Sequence, residues 1–120
     1  MKLYLAGPMR GVPFFNFPAF KKAAAELRAK GHQVFNPAER DEESYGGDVG
    51  MGNEDGCEAK AKIEFGFDLR RALGEDLAFI CAEAEGVALL PGWGNSRGAL
   101  AEHAVASALG LPARFVEDWL

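Results

Sequence analysis

The segment from Ser96 to Glu102 places a serine and a glycine six and four residues ahead of a glutamate. On a helix Gly98 and Glu102 stack on one face, and the glycine leaves open space in front of the carboxylate. A carboxylate that faces a cavity beside a helix N-terminus would be ionised and accessible, which is what a nucleophile needs. The sequence alone also allows Glu102 a salt bridge with Arg97 or a place on a solvated flank. Asp76 follows Leu73 by three and precedes Leu77 by one, on the polar flank of the preceding helix. Alone it reads as a surface residue, and its interest lies in sharing a pocket with Glu102. Two carboxylates around a glycosidic bond are the usual means of cleaving it, one attacking the anomeric carbon and one managing the leaving group or a sugar hydroxyl. Tyr4 is by default a core aromatic whose hydroxyl must find a partner. His103 points roughly 100° away from Glu102, as a core-edge or surface histidine, and no serine has the context of a catalytic triad.

Two glycine-rich turns would surround these groups. The first, Ala6 to Gly11, supplies Gly7, Pro8, Met9, Arg10 and Gly11; the second, Pro91 to Gly98, supplies Gly92, Trp93, Asn95, Ser96 and Gly98. Glycines let a ligand approach the backbone, and the free amides at the start of the Ser96 helix favour a phosphate or carboxylate. Ser96 is both an N-cap candidate and a possible phosphate donor. Trp93 either stacks on a base or packs the turn. The ligand these turns suit is a small nucleotide-like molecule.

The elements that must position them form a βαβ-type pattern. Lys2 to Ala6 reads as a strand stopped by Gly7-Pro8, and Asn16 then offers an N-cap with Pro18 in the first turn. Phe17, Phe20, Ala24 and Leu27 recur at helical spacing up to the Gly31 stop. His32 to Phe35 is a second strand closed by Asn36-Pro37. The stretch from Asp41 to Cys57 holds five glycines alternating with acids and reads as a long loop, a lid or a disordered insertion, without calcium-loop spacing. A helix between Lys60 and Ala84 carries an apolar stripe at Leu69, Leu73, Leu77, Ile80 and Ala84, weakened by Gly74. Val87 to Leu90 is a strand covered on both faces, followed by a helix from Ser96 to about Leu109 and a last strand near Ala113 to Val116. The expectation is one α/β domain over residues 1–120, Rossmann-like or flavodoxin-like, with four or five parallel strands and helices on both faces. An acidic glycine-rich loop interrupts it at about 41–58. Both turns then lie at the carboxyl ends of strands, where open parallel sheets bind ligands. The Ser96 helix is apolar nearly all round, which suits burial or a subunit interface.

Composition narrows the function further. The chain has 120 residues, 48% hydrophobic and 26% charged, the make-up of one ordinary globular domain. Its net charge of -5 is concentrated between Asp41 and Ala59, which hold seven acidic residues and no lysine or arginine. No basic stripe suited to a nucleic-acid polymer exists. Cys57 and Cys81 are too few for a disulfide scaffold and lack metal-site spacing, so free thiols in a reducing cytoplasm are expected, with no metal and no cofactor. The N-terminus lacks a signal-peptide layout and no apolar run approaches the length of a membrane span, so a cytoplasmic protein away from the membrane is expected.

With these motifs in place, the chain resembles the nucleoside 2-deoxyribosyltransferase superfamily, which includes the 2'-deoxynucleoside 5'-monophosphate N-glycosidases. The resemblance rests on Tyr4, Gly7, Arg10 and Gly11 in the first strand and its turn, on Asp76 in the helix before the third strand, and on the Ser96, Gly98, Glu102 spacing. It implies cleavage or transfer at the N-glycosidic bond of a 2'-deoxynucleoside or its 5'-monophosphate, with Glu102 as nucleophile. It further implies that Asp76 orients the sugar or assists protonation of the departing base and that Tyr4 holds Glu102. Arg10 and Ser96 would bind a 5'-phosphate, and subunits would pair as a homo-oligomer, a dimer or higher. The alternative expectation is a non-catalytic module that binds or senses a nucleotide in the same pocket.

Overall fold

The computed structural model describes residues 1–45 and 68–120. Strands β1 (Lys2–Ala6), β2 (Gln33–Phe35), β3 (Gly86–Leu89) and β4 (Ala113–Phe115) form one sheet in the order β2-β1-β3-β4. Every pairing is parallel: Leu3 lies beside Val34, Leu5 beside Ala88 and Leu89 beside Phe115. The helices are α1 (Phe17–Ala29), α2 (Pro37–Tyr45), α3 (Leu69–Ala82), α4 (Arg97–Ala108) and the single turn α5 (Val116–Trp119). This is the expected α/β domain, with flavodoxin-like strand order and four strands among the described residues. Strand order reverses between β1 and β3, so the connections leave these two strands in opposite directions and open a crevice at their carboxyl ends.

The alternation of β1 divides the core. Leu3 and Leu5 pack with Phe17, Phe20, Ala24 and Leu27 of α1 and with Val116. Tyr4 and Ala6 face the other way, toward Ile80 of α3 and Ala106 of α4. Both faces are therefore covered, as near-continuous apolar strands require. The stripe read for α1 is fully buried, and Gly31 ends that helix with φ +94°. Asn16 does sit at its N-cap, but in a left-handed conformation and without a side-chain bond to the first amides. Phe14 and Phe15 share that conformation, at φ 57° and 54°. A left-handed residue with a Cβ costs roughly 1–2 kcal/mol, and here the turn drives Phe15 into the core while Phe14 stays outside.

The expectation of a loop from Asp41 is corrected for residues 41–45, which belong to α2. Asn36-Pro37 ends β2, but it also starts a helix: the Asn36 side chain accepts from the Ala38 amide at 2.9 Å, and Pro37 fills the first helical position. The remainder of the predicted loop, with Cys57, and the predicted helical segment from Lys60 to Phe67 lie outside the described residues. Asp68 caps α3 by accepting from the amides of Arg70 and Arg71. Ser96 caps α4, its Oγ accepting from the Ala99 amide at 3.2 Å, as the sequence predicts.

Trp119 locks the opposite end of the sheet. Its indole N–H donates to the Val87 and Arg114 carbonyls at 3.1 and 3.2 Å, and its backbone oxygen lies 3.0 Å from His32 Nε2. Gly86 makes room for the ring, because a Cβ there would stand 2.7 Å from an indole carbon. Gly86→Ala is therefore expected to destabilise the protein by about 1–3 kcal/mol through overpacking, read as a lower urea midpoint at unchanged slope.

Candidate active site

The carboxyl ends of β1 and β3 open into a cavity of about 140 Å³. Its walls come from four places: Gly7, Met9 and Arg10 after β1; Pro37 and Asp41 of α2; Leu69, Leu73 and Asp76 of α3; and Ser96, Gly98 and Glu102 around the start of α4. Phe15 and Phe20 close it from the α1 side. At its floor the Tyr4 hydroxyl donates to Glu102 Oε2 at 2.6 Å, a short O–H···O hydrogen bond. The Tyr4 ring cannot swing away, because it stacks on Phe35 at 5.6 Å and contacts Phe79 at 6.4 Å, and those two rings stack on each other at 4.4 Å. Gly98 leaves the face in front of Glu102 open, since a Cβ there would meet only Ser96 Oγ at 3.9 Å.

Three carboxyl groups line this cavity, and all are nearly closed to solvent: Asp41 is 5% exposed, Glu102 6% and Asp76 8%. The expectation of a simply ionised Glu102 is corrected. Burial, the dominant cause, pushes it up to about 8 against the opposing pull of the Tyr4 hydroxyl, with Asp76 and Asp41 adding repulsion. Asp76 rises to about 7, again chiefly by burial, with Tyr4 pulling it back. Asp41 rises to about 8 through burial and then repulsion from Asp76 and Glu75. Near neutral pH the Asp76–Glu102 pair therefore shares protons, and its titration belongs to the pair. Tyr4 is driven well above its ordinary value, first by burial and then by the neighbouring Glu102 and Asp76 carboxyls, and remains a donor. Asp76 Oδ1 is buried without a hydrogen-bond partner among the described residues, which leaves an acceptor for something else to satisfy. Among the described residues no three acidic, histidine or cysteine side chains are grouped as metal ligands.

These features extend over nearly the whole sequence, and so does one comparison: the family model described as a domain of unknown function (DUF4406) matches residues 1–115. The chain belongs to that family. No curated protein and no solved structure matches it. The fold of this DUF4406 chain brings Tyr4, Asp76 and Glu102 together and sets Gly7, Met9, Arg10, Ser96 and Gly98 in the cavity wall beside them. Pro8, Gly11, Gly92 and Asn95 are not among the lining residues. Trp93 is also outside the lining; its ring stacks on His103 at 4.6 Å, which is the loop-packing alternative. Glu102 takes neither bland option, since it is buried and held by Tyr4. Asp76 is not on a polar flank: Ala72, Asp76 and Ile80 form the buried row of α3, while Leu69 and Leu73 of the predicted stripe face the cavity. The Ser96 helix buries only Ala99, Glu102 and Ala106, leaving Leu100 and neighbouring Leu109 exposed.

Asp41 is the site residue that sequence reading misses, because the acid-and-glycine composition after it hides a helix. The available signal is Asn36-Pro37, which starts α2 and sets Ala38 and Asp41 three apart on one inward face. Ion pairs hold α2 there. Arg28 of α1 grips both Glu39 oxygens at 2.6 and 2.7 Å, and Lys21 reaches Glu42 at 2.7 Å. Arg40 reaches Glu75 of α3 at 3.2 Å. Pairs this exposed add little stability individually, but their directions from two helices fix the register of Asp41 over the cavity.

The raised carboxyls give the stability of this DUF4406 protein an uncommon pH dependence. Between their ordinary values, 3.8 for Asp and 4.5 for Glu, and about 7 to 8, the folded state binds more protons than the unfolded one. Their contribution is complete below the ordinary values and is lost as pH rises through about 7 to 8. Glu39, lowered mainly by its Arg28 bonds, works the other way but is one partly exposed group against three buried ones. Thermal melts should thus give a Tm that is higher at pH 5 than at pH 9, by roughly 5 °C or more. A Tm rising with pH over that interval would contradict the buried-acid description.

Proposed function

We propose that this protein cleaves or transfers at the N-glycosidic bond of a 2'-deoxynucleoside or its 5'-monophosphate, in the manner of the nucleoside 2-deoxyribosyltransferase superfamily it resembles. The observation that carries this reading is the buried Tyr4–Glu102 hydrogen bond beside Asp76 in one cavity. Glu102, its Oε2 held by Tyr4, attacks C1' through Oε1 when the shared proton resides on Asp76. The C1'–N bond breaks, its electron pair goes to the base nitrogen, and Asp76 delivers a proton to the leaving base. The resulting glycosyl ester on Glu102 is resolved by water, giving hydrolysis, or by a second base, giving transfer. Ser96 at the α4 N-terminus and Arg10 suit a 5'-phosphate, because that wall offers helix amides and a guanidinium. A homo-oligomer forms part of the same reading, supported by exposed Leu100 on α4, and no helix among the described residues is long and apolar enough to cross a membrane.

The test is incubation with 2'-deoxynucleosides and their 5'-monophosphates, with and without an acceptor base, following free base by chromatography. Base release or exchange is expected, reduced at least about a thousandfold in Glu102→Ala. Substrate that binds but releases no base would favour the non-catalytic alternative. The pH profile of kcat/KM reports the free enzyme's acid and base, so a bell with its shoulders near about 7 and about 8 is expected. Tyr4→Phe removes the donor that favours Glu102 ionisation; it should move the acidic shoulder upward and lower kcat about a hundredfold.

A further inference from the structure

Asp and Glu side chains are rarely buried without a cationic partner, yet Asp41, Asp76 and Glu102 are buried together around one cavity. Among the described residues no lysine or arginine forms an ion pair with any of the three. Arg40 acts on Asp76 only at a distance, being engaged with Glu75 and Glu43. Arg10 and Arg97 also line the cavity, but both are exposed side chains. The Tyr4 hydroxyl is a donor that reaches the group, and it bonds Glu102 Oε2. Asp76 Oδ1 stays without a hydrogen-bond partner among the described residues. The cavity thus gathers more acceptors than the described donors satisfy, and a buried group in that condition calls for a partner.

We infer that the cavity binds a monocyclic organic cation, a single small ring whose positive charge lies among Asp41, Asp76 and Glu102. The sign follows from the walls: carboxyls closed to solvent and without a cation of their own favour one supplied by the ligand. Spacing favours an extended charge over a compact ion, since no three acidic, histidine or cysteine side chains among the described residues are grouped as metal ligands. A charge spread over a ring can meet acids that come from three separate helices, α2, α3 and α4. Volume sets the ring count. The cavity is about 140 Å³, close to the roughly 150 Å³ of an engineered apolar cavity that admits benzene. Phe15, Phe20 and Leu69 give it apolar walls for the ring carbons. The inference deepens the glycosidic reading and rests on it for one point, that the ring is a sugar gaining positive charge as the C1'–N bond breaks.

The test compares two analogues of 2-deoxyribose that differ at one ring position: 2-(hydroxymethyl)pyrrolidin-3-ol, whose ring nitrogen is protonated from pH 5.5 to pH 7.5, and its neutral tetrahydrofuran counterpart. Binding to the full chain is followed by titration calorimetry in a buffer free of amines, in the wild type and in Asp76→Asn, which keeps the side-chain shape and removes its charge. At pH 7.5 the wild type is expected to bind the ammonium at least about tenfold more tightly than the neutral ring. Asp76→Asn should bring the two within about threefold. Asp41, Asp76 and Glu102 lose protons as pH rises toward and through about 7 to 8. Tyr4, Glu75 and the guanidinium groups of Arg10, Arg40 and Arg97 are the other charged or titratable groups around them. The preference for the ammonium should therefore grow from pH 5.5 to pH 7.5, a wild-type measurement that stands without the variant. Equal affinity for the two rings, tighter binding of the neutral one, no measurable binding of either, a preference undiminished in Asp76→Asn, or one that shrinks as pH rises overturns the inference. Base release from deoxynucleosides, assayed in parallel, reports on the reaction separately. Cation preference without base release keeps the cation site and removes the glycosidic reading, and base release without cation preference does the reverse.

Discussion

A carboxyl group buried under a helix must either give up its charge or be given a donor, and the Tyr4–Glu102 contact does part of each. The two residues lie 98 positions apart in the chain, so the bond exists only when β1 and α4 are docked on the same sheet. Its geometry depends in turn on the aromatic stack that fixes the Tyr4 ring and on the capped start of α4 that sets the helix rotation. Removing either support would leave the acid in an apolar surrounding without its donor. Much of the upper half of the molecule can be read as the housing that this one contact requires.

The other two acids make that housing costly to maintain. Three carboxyls of rising proton affinity in one cavity repel one another as soon as they ionise, and burial rather than ion pairing sets their chemistry. A fold selected for stability alone would place apolar side chains at Asp41 and Asp76, since well-packed hydrophobes in such positions are commonly neutral or stabilising. Perturbed acids gathered in a cleft are instead what marks this cavity as the candidate functional site.

The fold and most of the site were legible in the sequence for separable reasons. Strand and helix periodicities, the Gly31 stop and the Ser96 cap act locally, so β1, α1, β3 and α4 could be placed within a residue or two. Glu102 was legible because Gly98 precedes it by one helical turn. Asp76 was harder: its type said surface, and only its alignment with Ala72 and Ile80 places it inward. Asp41 was invisible because composition beyond residue 45 dominated the reading of the segment, although Asn36-Pro37 is a competent helix start. The charge state of Glu102 was not legible, because a helix N-terminus favours charge while burial opposes it, and the degree of enclosure, 6% exposed, is set by the fold.

The strand order has a consequence for how such a pocket can diversify. One wall follows β2 and the other follows β3, with β1 as a fixed partition between them. Substitutions in α2 therefore alter the far side of the cavity without passing through the helix that carries Glu102, and the ion pairs that seat α2 involve α1 and α3 rather than α4. Such a division lets the shape and polarity of one wall be changed while the opposite wall keeps its packing, so the two halves of the cavity are separable targets for redesign.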